Sequence, residues 1–147
     1  LISFIGFFIE VLGVYSGSLF GEYEYGNKLG LEIFNVPLVI ALNWFILVYA
    51  SRGSVNYFLN NKYLQIFFSS IIMVFLDILI EPVAIELGWW SWGINSVPLQ
   101  NYLMWFVVSV IMQVIISNNN HEILKSISIS LLLSQISFFV YLNMTII

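Results

Sequence analysis

No cysteine occurs in the 147-residue chain, which excludes a disulfide framework, a thiol nucleophile and thiolate metal ligands. Histidine is nearly absent too. The single one, His121, lies in the polar stretch 117–122 (SNNNHE), where a lone histidine reads as a solvated surface residue. Metal catalysis by convergent histidines and carboxylates, histidine-box iron chemistry included, therefore has no basis in this sequence, and no metal site is expected. Lysine and arginine together number four, too few for a basic patch, so no nucleic-acid partner is expected. There is no G-x-G-x-x-G, P-loop or G-x-S-x-G, which removes nucleotide cofactors and the familiar serine hydrolases. No cofactor of any kind is expected.

What the chain has in abundance is apolar surface. Hydrophobic residues make up 61%, aromatic residues 18% and charged residues 8%, with a mean hydropathy of +0.97. No water-soluble domain of this size needs so much, so the expected fold class is all-α, a polytopic membrane helix bundle whose first partner is the lipid bilayer. The net charge of −4 does not describe a solvated tail, because the acids sit in or beside apolar runs.

About five transmembrane helices are expected, in a single integral membrane domain covering 1–147. The first run, 1–20, is interrupted by Glu10, Gly13 and Gly17. The second, 36–51, opens on Pro37 at a favourable first-turn position; it is short for a hydrocarbon core of ~30 Å, so residues 32–35 are expected to extend it. The third runs from 63 to 81, and on to 87 if Pro82 bends it without ending it. The fourth is 99–117, after Pro98. The fifth is 123–147, where Ser126, Ser130, Ser134 and Ser137 form a small-residue stripe suited to close helix packing. The chain is already apolar at Leu1 and has no basic region or small-residue cleavage site. A fragment lacking its N-terminal portion, and an earlier helix, is expected in preference to a signal peptide. Arg52 and Lys62 flank the second connection and Lys125 precedes the fifth span, whereas the other side holds only Lys28 among Glu22, Glu24 and Glu32. The positive-inside rule then makes the second and fourth connections cytoplasmic and turns the acids towards the outer half of the membrane.

One stretch, 76–93 (LDILIEPVAIELGWWSWG), breaks the pattern of a plain span. A carboxylate at mid-bilayer costs ~2.5–3.5 kcal/mol on insertion scales and normally faces a bundle interior. Asp77 and Glu81 are four apart, on one helix face. Pro82 removes a backbone donor and crowds the carbonyl of Ile78, which favours a kink beside the acids. A repeat surrounds them. VPLVIALNWF (36–45) and VPLQNYLMWF (97–106) agree at six of ten positions. Each follows an aromatic–x–aromatic–Gly hook, YEYG from Tyr23 and WSWG from Trp90, and each hook follows a helix bearing Ile-Glu, at Glu10 and Glu81. The expected halves, about 1–51 and 63–117, cross the membrane in the same direction. Such a parallel repeat puts a site between them, with Glu10 near Glu81 and with Trp44 and Trp105 on opposite sides of one cavity.

Acid–base chemistry by buried carboxylates among aromatic rings is what these residues permit. Two carboxyls one turn apart in a water-poor pocket repel when both are charged, so one should keep its proton and can donate it. Aromatic faces attract cations, and an acid beside such a wall suits a carbocation made by protonating an alkene. The plainer alternative is that Asp77 pairs with a neighbouring helix and the tryptophans anchor at headgroup depth.

The runs Glu10-Val-Leu-Gly13, Ser16-Gly17, Phe20-Gly21-x-Tyr23-x-Tyr25, Leu29-Gly30 and Val36-Pro37 with Trp44, and above all Leu76-Asp77-x-x-x-Glu81-Pro82-x-Ala84 with Trp90-x-Trp92, Pro98, Asn101 and Trp105, resemble the membrane-integral carotenoid biosynthesis protein family. Its characterised members are carotenoid hydratases, including those of the bisanhydrobacterioruberin and gamma-carotene 1′,2′ types. The resemblance covers about residues 4–109; Ser16 stands where threonine is expected, which preserves a hydroxyl. It implies a carotenoid 1,2-hydratase, a cofactor-independent hydro-lyase of a prokaryotic cytoplasmic membrane, acting on a carotenoid substrate and working alongside other carotenoid-synthesis enzymes. On this reading Glu81 or Asp77 donates the proton and Glu10 assists, while Tyr23, Tyr25, Asn43, Trp44, Trp89, Trp90, Trp92, Asn101 and Trp105 line the substrate pocket. Two other classes fit the same residues: a proton-coupled transporter or binding protein for a lipophilic cargo, and a scaffold of a carotenoid-synthesising complex.

Overall fold

A computed structural model describes residues 1–94, 96–118 and 125–147. His121, the rest of the connection 119–124 and the Lys125 side chain lie outside the described residues, so the expectations for them are not addressed. Among the described residues five α-helices carry the fold: α1 (Ile2–Ser16), α2 (Leu38–Phe58), α3 (Lys62–Glu86), α4 (Leu99–Ser117) and α5 (Lys125–Ile146). The last four are long and apolar enough to cross a membrane. At 15 residues, α1 rises about 22 Å, short of a full hydrocarbon core. It ends at Ser16, four residues before the apolar run does, because Gly17 turns left-handed (φ 59°) and its N–H caps the carbonyl of Gly13.

Helix α2 extends in the direction opposite to the expected one. Residues 32–35 do not lengthen it. Strand β2 (Glu32–Ile33) pairs antiparallel with β3 (Val36–Pro37), and Phe34 and Asn35 make the turn with φ of 54° and 58°, the signature of a type I′ hairpin. Pro37 is the residue before the helix, not its first turn. Downstream, α2 runs through Arg52 to Phe58. Arg52 is buried inside the bundle and donates to Gln65 Oε1 at 3.0 Å, so it is not a loop charge. The connection to α3 is short, and Asn61 caps α3 by accepting from the backbone of Tyr63 and Leu64. Helix α3 continues through Pro82.

The polar distribution is that of a protein in lipid. Phe67, Phe75, Leu103 and Ile111 face outward, whereas Glu10, Asp77, Glu81, Asn101 and Gln113 are buried. Helix α2 packs against α1, α3 and α5, and α3 against α4 and α5. Lys62 Nζ donates to Asn118 Oδ1 at 2.7 Å, which places the α2–α3 connection beside the end of α4. The serine stripe of α5 does not make the expected close packing within this chain: Ser126, Ser130, Ser134 and Ser137 are exposed, and Ser128, Leu132 and Phe139 turn inward instead. Serine at three- and four-residue intervals marks one face, but spacing cannot say whether that face looks in or out.

Candidate active site

Two short strands at the opposite end from Lys62 assemble the site. β1 (Tyr23–Tyr25) pairs antiparallel with β4 (Trp90–Trp92), Tyr23 opposite Trp92 and Tyr25 opposite Trp90. Alternate residues of a strand share a face, so the aromatic–x–aromatic spacing sends four rings to one side while Glu24 and Ser91 stay exposed. Backbone bonds from Gly26 N–H to the Trp89 carbonyl and from Gly93 N–H to the Glu22 carbonyl close the ribbon at both ends.

Each pair of rings serves one buried carboxylate. Glu10 Oε2 accepts from the hydroxyls of Tyr23 at 2.6 Å and Tyr25 at 2.9 Å, and Oε1 accepts from Trp44 Nε1 at 2.9 Å. Gly6 makes room for Trp44: a Cβ there would lie 2.5 Å from the indole. Both phenols stand on the ribbon, outside the helices, and burial followed by the charge of Glu10 pushes them above their ordinary range, which keeps them neutral donors. In the other half, Glu81 Oε2 accepts from Trp90 Nε1 at 3.0 Å and Trp92 Nε1 at 2.9 Å. Asn101 Nδ2 donates to Asp77 Oδ2 at 2.8 Å and, more weakly, to Glu81 Oε1 at 3.3 Å. One amide thus bridges the two acids of α3. Indole N–H groups only donate, so Oε2 of Glu81 cannot carry a proton while both bonds stand. A proton on Glu81 belongs on Oε1, the side of Asp77 and Asn101.

Glu10, Asp77 and Glu81 all line one cavity of about 30 Å³, together with both tyrosines of the ribbon, Asn43, Asn101 and four of the five tryptophans. A water needs ~10–15 Å³ of such space, so the chamber has room for about two or three waters. Two expected lining positions differ. Trp44 on α2 and Trp105 on α4 do not face each other across the cavity; they stack, with centroids 4.2 Å apart and planes 18° from parallel, so both line it as one aromatic wall. Trp89 does not reach the chamber. It lies just before β4 and turns into an apolar groove between α2, α3 and α5. Phe20 and Ile40 line the chamber as well and escaped the sequence reading. Ile40 occupies the repeat position that Asn101 holds in the other half, which is the signal that could have found it.

The chamber has unlike neighbours. Through Tyr23 and Trp92 it adjoins an outward-open vestibule of about 320 Å³ whose wall includes Glu22, Glu24 and Ser91. Through Ile40, Asn43 and Trp90 it adjoins the apolar groove, of about 300 Å³. Among the described residues no three histidine, cysteine, aspartate or glutamate side chains are grouped so as to hold a metal ion.

Bisanhydrobacterioruberin hydratase of Haloarcula japonica is 28% identical over 107 residues, which cover 67% of this chain and 36% of that protein. The chain therefore spans about a third of the length of this curated relative. No solved structure matches. The sequence model described as "Carotenoid biosynthesis protein" matches residues 1–147, and on that whole-length match the chain belongs to the carotenoid biosynthesis protein family.

Proposed function

We propose that this chain holds the acid–base centre of a carotenoid 1,2-hydratase, which adds water to the terminal double bond of an acyclic carotenoid end. The observation that carries the reading is the placement of Asp77 and Glu81: one helical turn apart, bridged by Asn101, in a water-sized chamber between a polar vestibule and an apolar groove. Family membership and the name of the Haloarcula relative support it.

In the proposed reaction Glu81 gives its Oε1 proton to the CH carbon of the terminal isopropylidene group. The π pair forms the new C–H bond and leaves a tertiary cation on the dimethyl carbon. Water, supplied from the vestibule side, adds a lone pair to that carbon, and the oxonium proton returns to the carboxylate pair. The balance is one water added per double bond, and the acid is regenerated. The ring faces of the ribbon stabilise the cation, and Glu10, fixed by three donors, contributes an anion at close range. On this reading the two halves of the chain form a parallel repeat in a prokaryotic cytoplasmic membrane, with the chamber towards the outer leaflet.

Pigment extraction tests the proposal. A host that makes an acyclic-ended carotenoid should, with this gene, accumulate a product heavier by one water; an unchanged pigment mass would overturn the reading. A proton-coupled carrier is the second reading. It is favoured by a further buried polar layer on the same helices, where Gln113 Nε2 reaches Ser51 Oγ and the Val48 carbonyl, where Ser109 lies buried on α4 one turn nearer the chamber, and where Ser69 lies buried on α3 two turns before Asp77. A carrier would move cargo without changing its mass.

Pro82 separates geometry from anchoring. Pro82→Ala is expected to lower hydration about tenfold or more while membrane insertion stays near wild type, because the missing backbone donor shapes the turn that presents both acids. Product yield normalised to inserted protein measures this; equal losses of insertion and yield would make Pro82 merely structural.

A further inference from the structure

We propose that the apolar groove between α2, α3 and α5 seats the polyene chain of the substrate, that Asn43 is the movable wall between groove and chamber, and that α5 thereby becomes part of the substrate site. The inference rests on the hydratase reading and extends it to the α5 residues Gln135, Phe138 and Phe139, which neither the motifs nor the repeat single out.

Size comes first. A chamber of about 30 Å³ admits water but not a branched hydrocarbon end, so the double bond must come through a wall. Among the described residues, the vestibule and the groove share walls with the chamber. The vestibule presents the carboxylates of Glu22 and Glu24 and is open to solvent, a poor environment for a long hydrocarbon. The groove, ten times larger than the chamber, is walled mainly by carbon, from Leu29, Val39, Ile80, Trp89, Phe138 and Phe139. Its outer rim reaches the lipid-facing surface, since Val39 and Phe138 are 43% and 53% exposed. A polyene dissolved in the bilayer can therefore slide in sideways without crossing water.

The shared wall consists of Ile40, Asn43 and Trp90. Trp90 is pinned by its bond to Glu81, and Ile40 is buried at the helix contact. Asn43 makes no hydrogen bond among the described residues, so its side chain can swing at the least cost and open a path towards Glu81. Gln135, on the α5 side of the groove, has a buried amide oxygen without a partner among the described residues. A buried acceptor left unpaired is unfavourable, and a tertiary hydroxyl, the group that the proposed reaction creates, would satisfy it as the product withdraws.

A second apolar groove supplies a built-in control. It has nearly the same volume, about 320 Å³, is walled by Phe4, Phe8, Phe34 and Leu38, and shares no residue with the chamber. Leu38 and Val39 are neighbours on α2, both partly exposed, and they line different grooves. Tryptophan at either position should be tolerated by the fold, but only one blocks the proposed seat.

The experiment compares Val39→Trp and Leu38→Trp with wild type, purified in detergent from cells that make an acyclic-ended carotenoid. It reads bound polyene per protein and the hydrated fraction. Val39→Trp is expected to lose about tenfold or more of the bound polyene, equivalent to ~1.4 kcal/mol, and to hydrate correspondingly less; Leu38→Trp should stay within about twofold of wild type. Gln135→Leu should weaken retention of added hydrated carotenoid about threefold to tenfold and leave the unhydrated form unchanged. Equal binding by Val39→Trp and wild type, equal loss in both tryptophan variants, or no polyene bound by wild type would overturn the groove assignment. Polyene bound in a Val39-dependent way but never hydrated would sustain the groove and overturn the hydratase reading instead.

Discussion

Glu81→Gln is expected to stop hydration, by about 10²–10⁴-fold if the group acts as general acid, while the protein still inserts and still binds carotenoid. The substitution nearly preserves shape. Its amide oxygen can take the two indole N–H bonds now made to Oε2, and its NH2 then faces Asp77, where a donor is welcome. What disappears is the transferable proton on the side of the bridging Asn101. Asp77→Asn is expected to slow the reaction as well, because it removes the neighbour that shares the proton, but to leave measurable turnover. Product per inserted protein, followed by pigment mass, decides between them. If Glu81→Gln hydrates at the wild-type rate and Asp77→Asn does not, the donor lies one turn back; if both amides remain active, the carboxylate mechanism is wrong.

Much of this site could be read from residue spacing. An Asp–Glu pair at i, i+4 inside an apolar run has to face a bundle interior, and it does. The aromatic–x–aromatic hooks were legible as a repeated unit, and the period of a strand explains why each delivers two donors to one carboxylate oxygen. Helix α4 has the expected bounds because Pro98 opens it and no charge interrupts it. Where the reading failed, the cause was a local rule overridden by tertiary contacts. Arg52 ends an apolar window, so α2 looked short, yet Gln65 and the burial of neighbouring small residues let the helix run on. Phe34 in a left-handed turn has no propensity signal, so the hairpin at 32–37 stayed hidden. The contribution of α5 to the groove was also invisible: Gln135, Phe138 and Phe139 belong to no motif, and only packing brings them beside Trp89 and Asn43.

Glu10→Leu is expected to cost the fold, not only the reaction. Glu10 is 5% exposed and is the acceptor for three buried donors at once, the hydroxyls of Tyr23 and Tyr25 and the indole N–H of Trp44. Burial, the larger of the two causes that push both phenols above their ordinary range, remains when the Glu10 charge is gone, so neither escapes by ionising. Leucine fills the space but accepts nothing. Three stranded donors at ~1–3 kcal/mol each come to roughly 3–9 kcal/mol, comparable with the whole stability of a typical domain, about 5–15 kcal/mol. The β1–β4 ribbon loses its tie to α1 in the same step, because Tyr23 and Tyr25 hold it there. Glu10→Gln behaves differently. Its amide oxygen can still accept from Trp44, and its NH2 can donate to the phenolic oxygens, which both donate and accept. That variant should fold, with a Tm in detergent within a few degrees of wild type, and should hydrate about tenfold more slowly because a nearby anion is lost. Thermal denaturation and pigment mass, measured side by side on the two variants, separate the roles. A Glu10→Leu protein as stable as wild type would show that the three bonds do not anchor the ribbon. A Glu10→Gln protein as inactive as Glu81→Gln would move Glu10 from bystander anion to a carrier of the transferred proton.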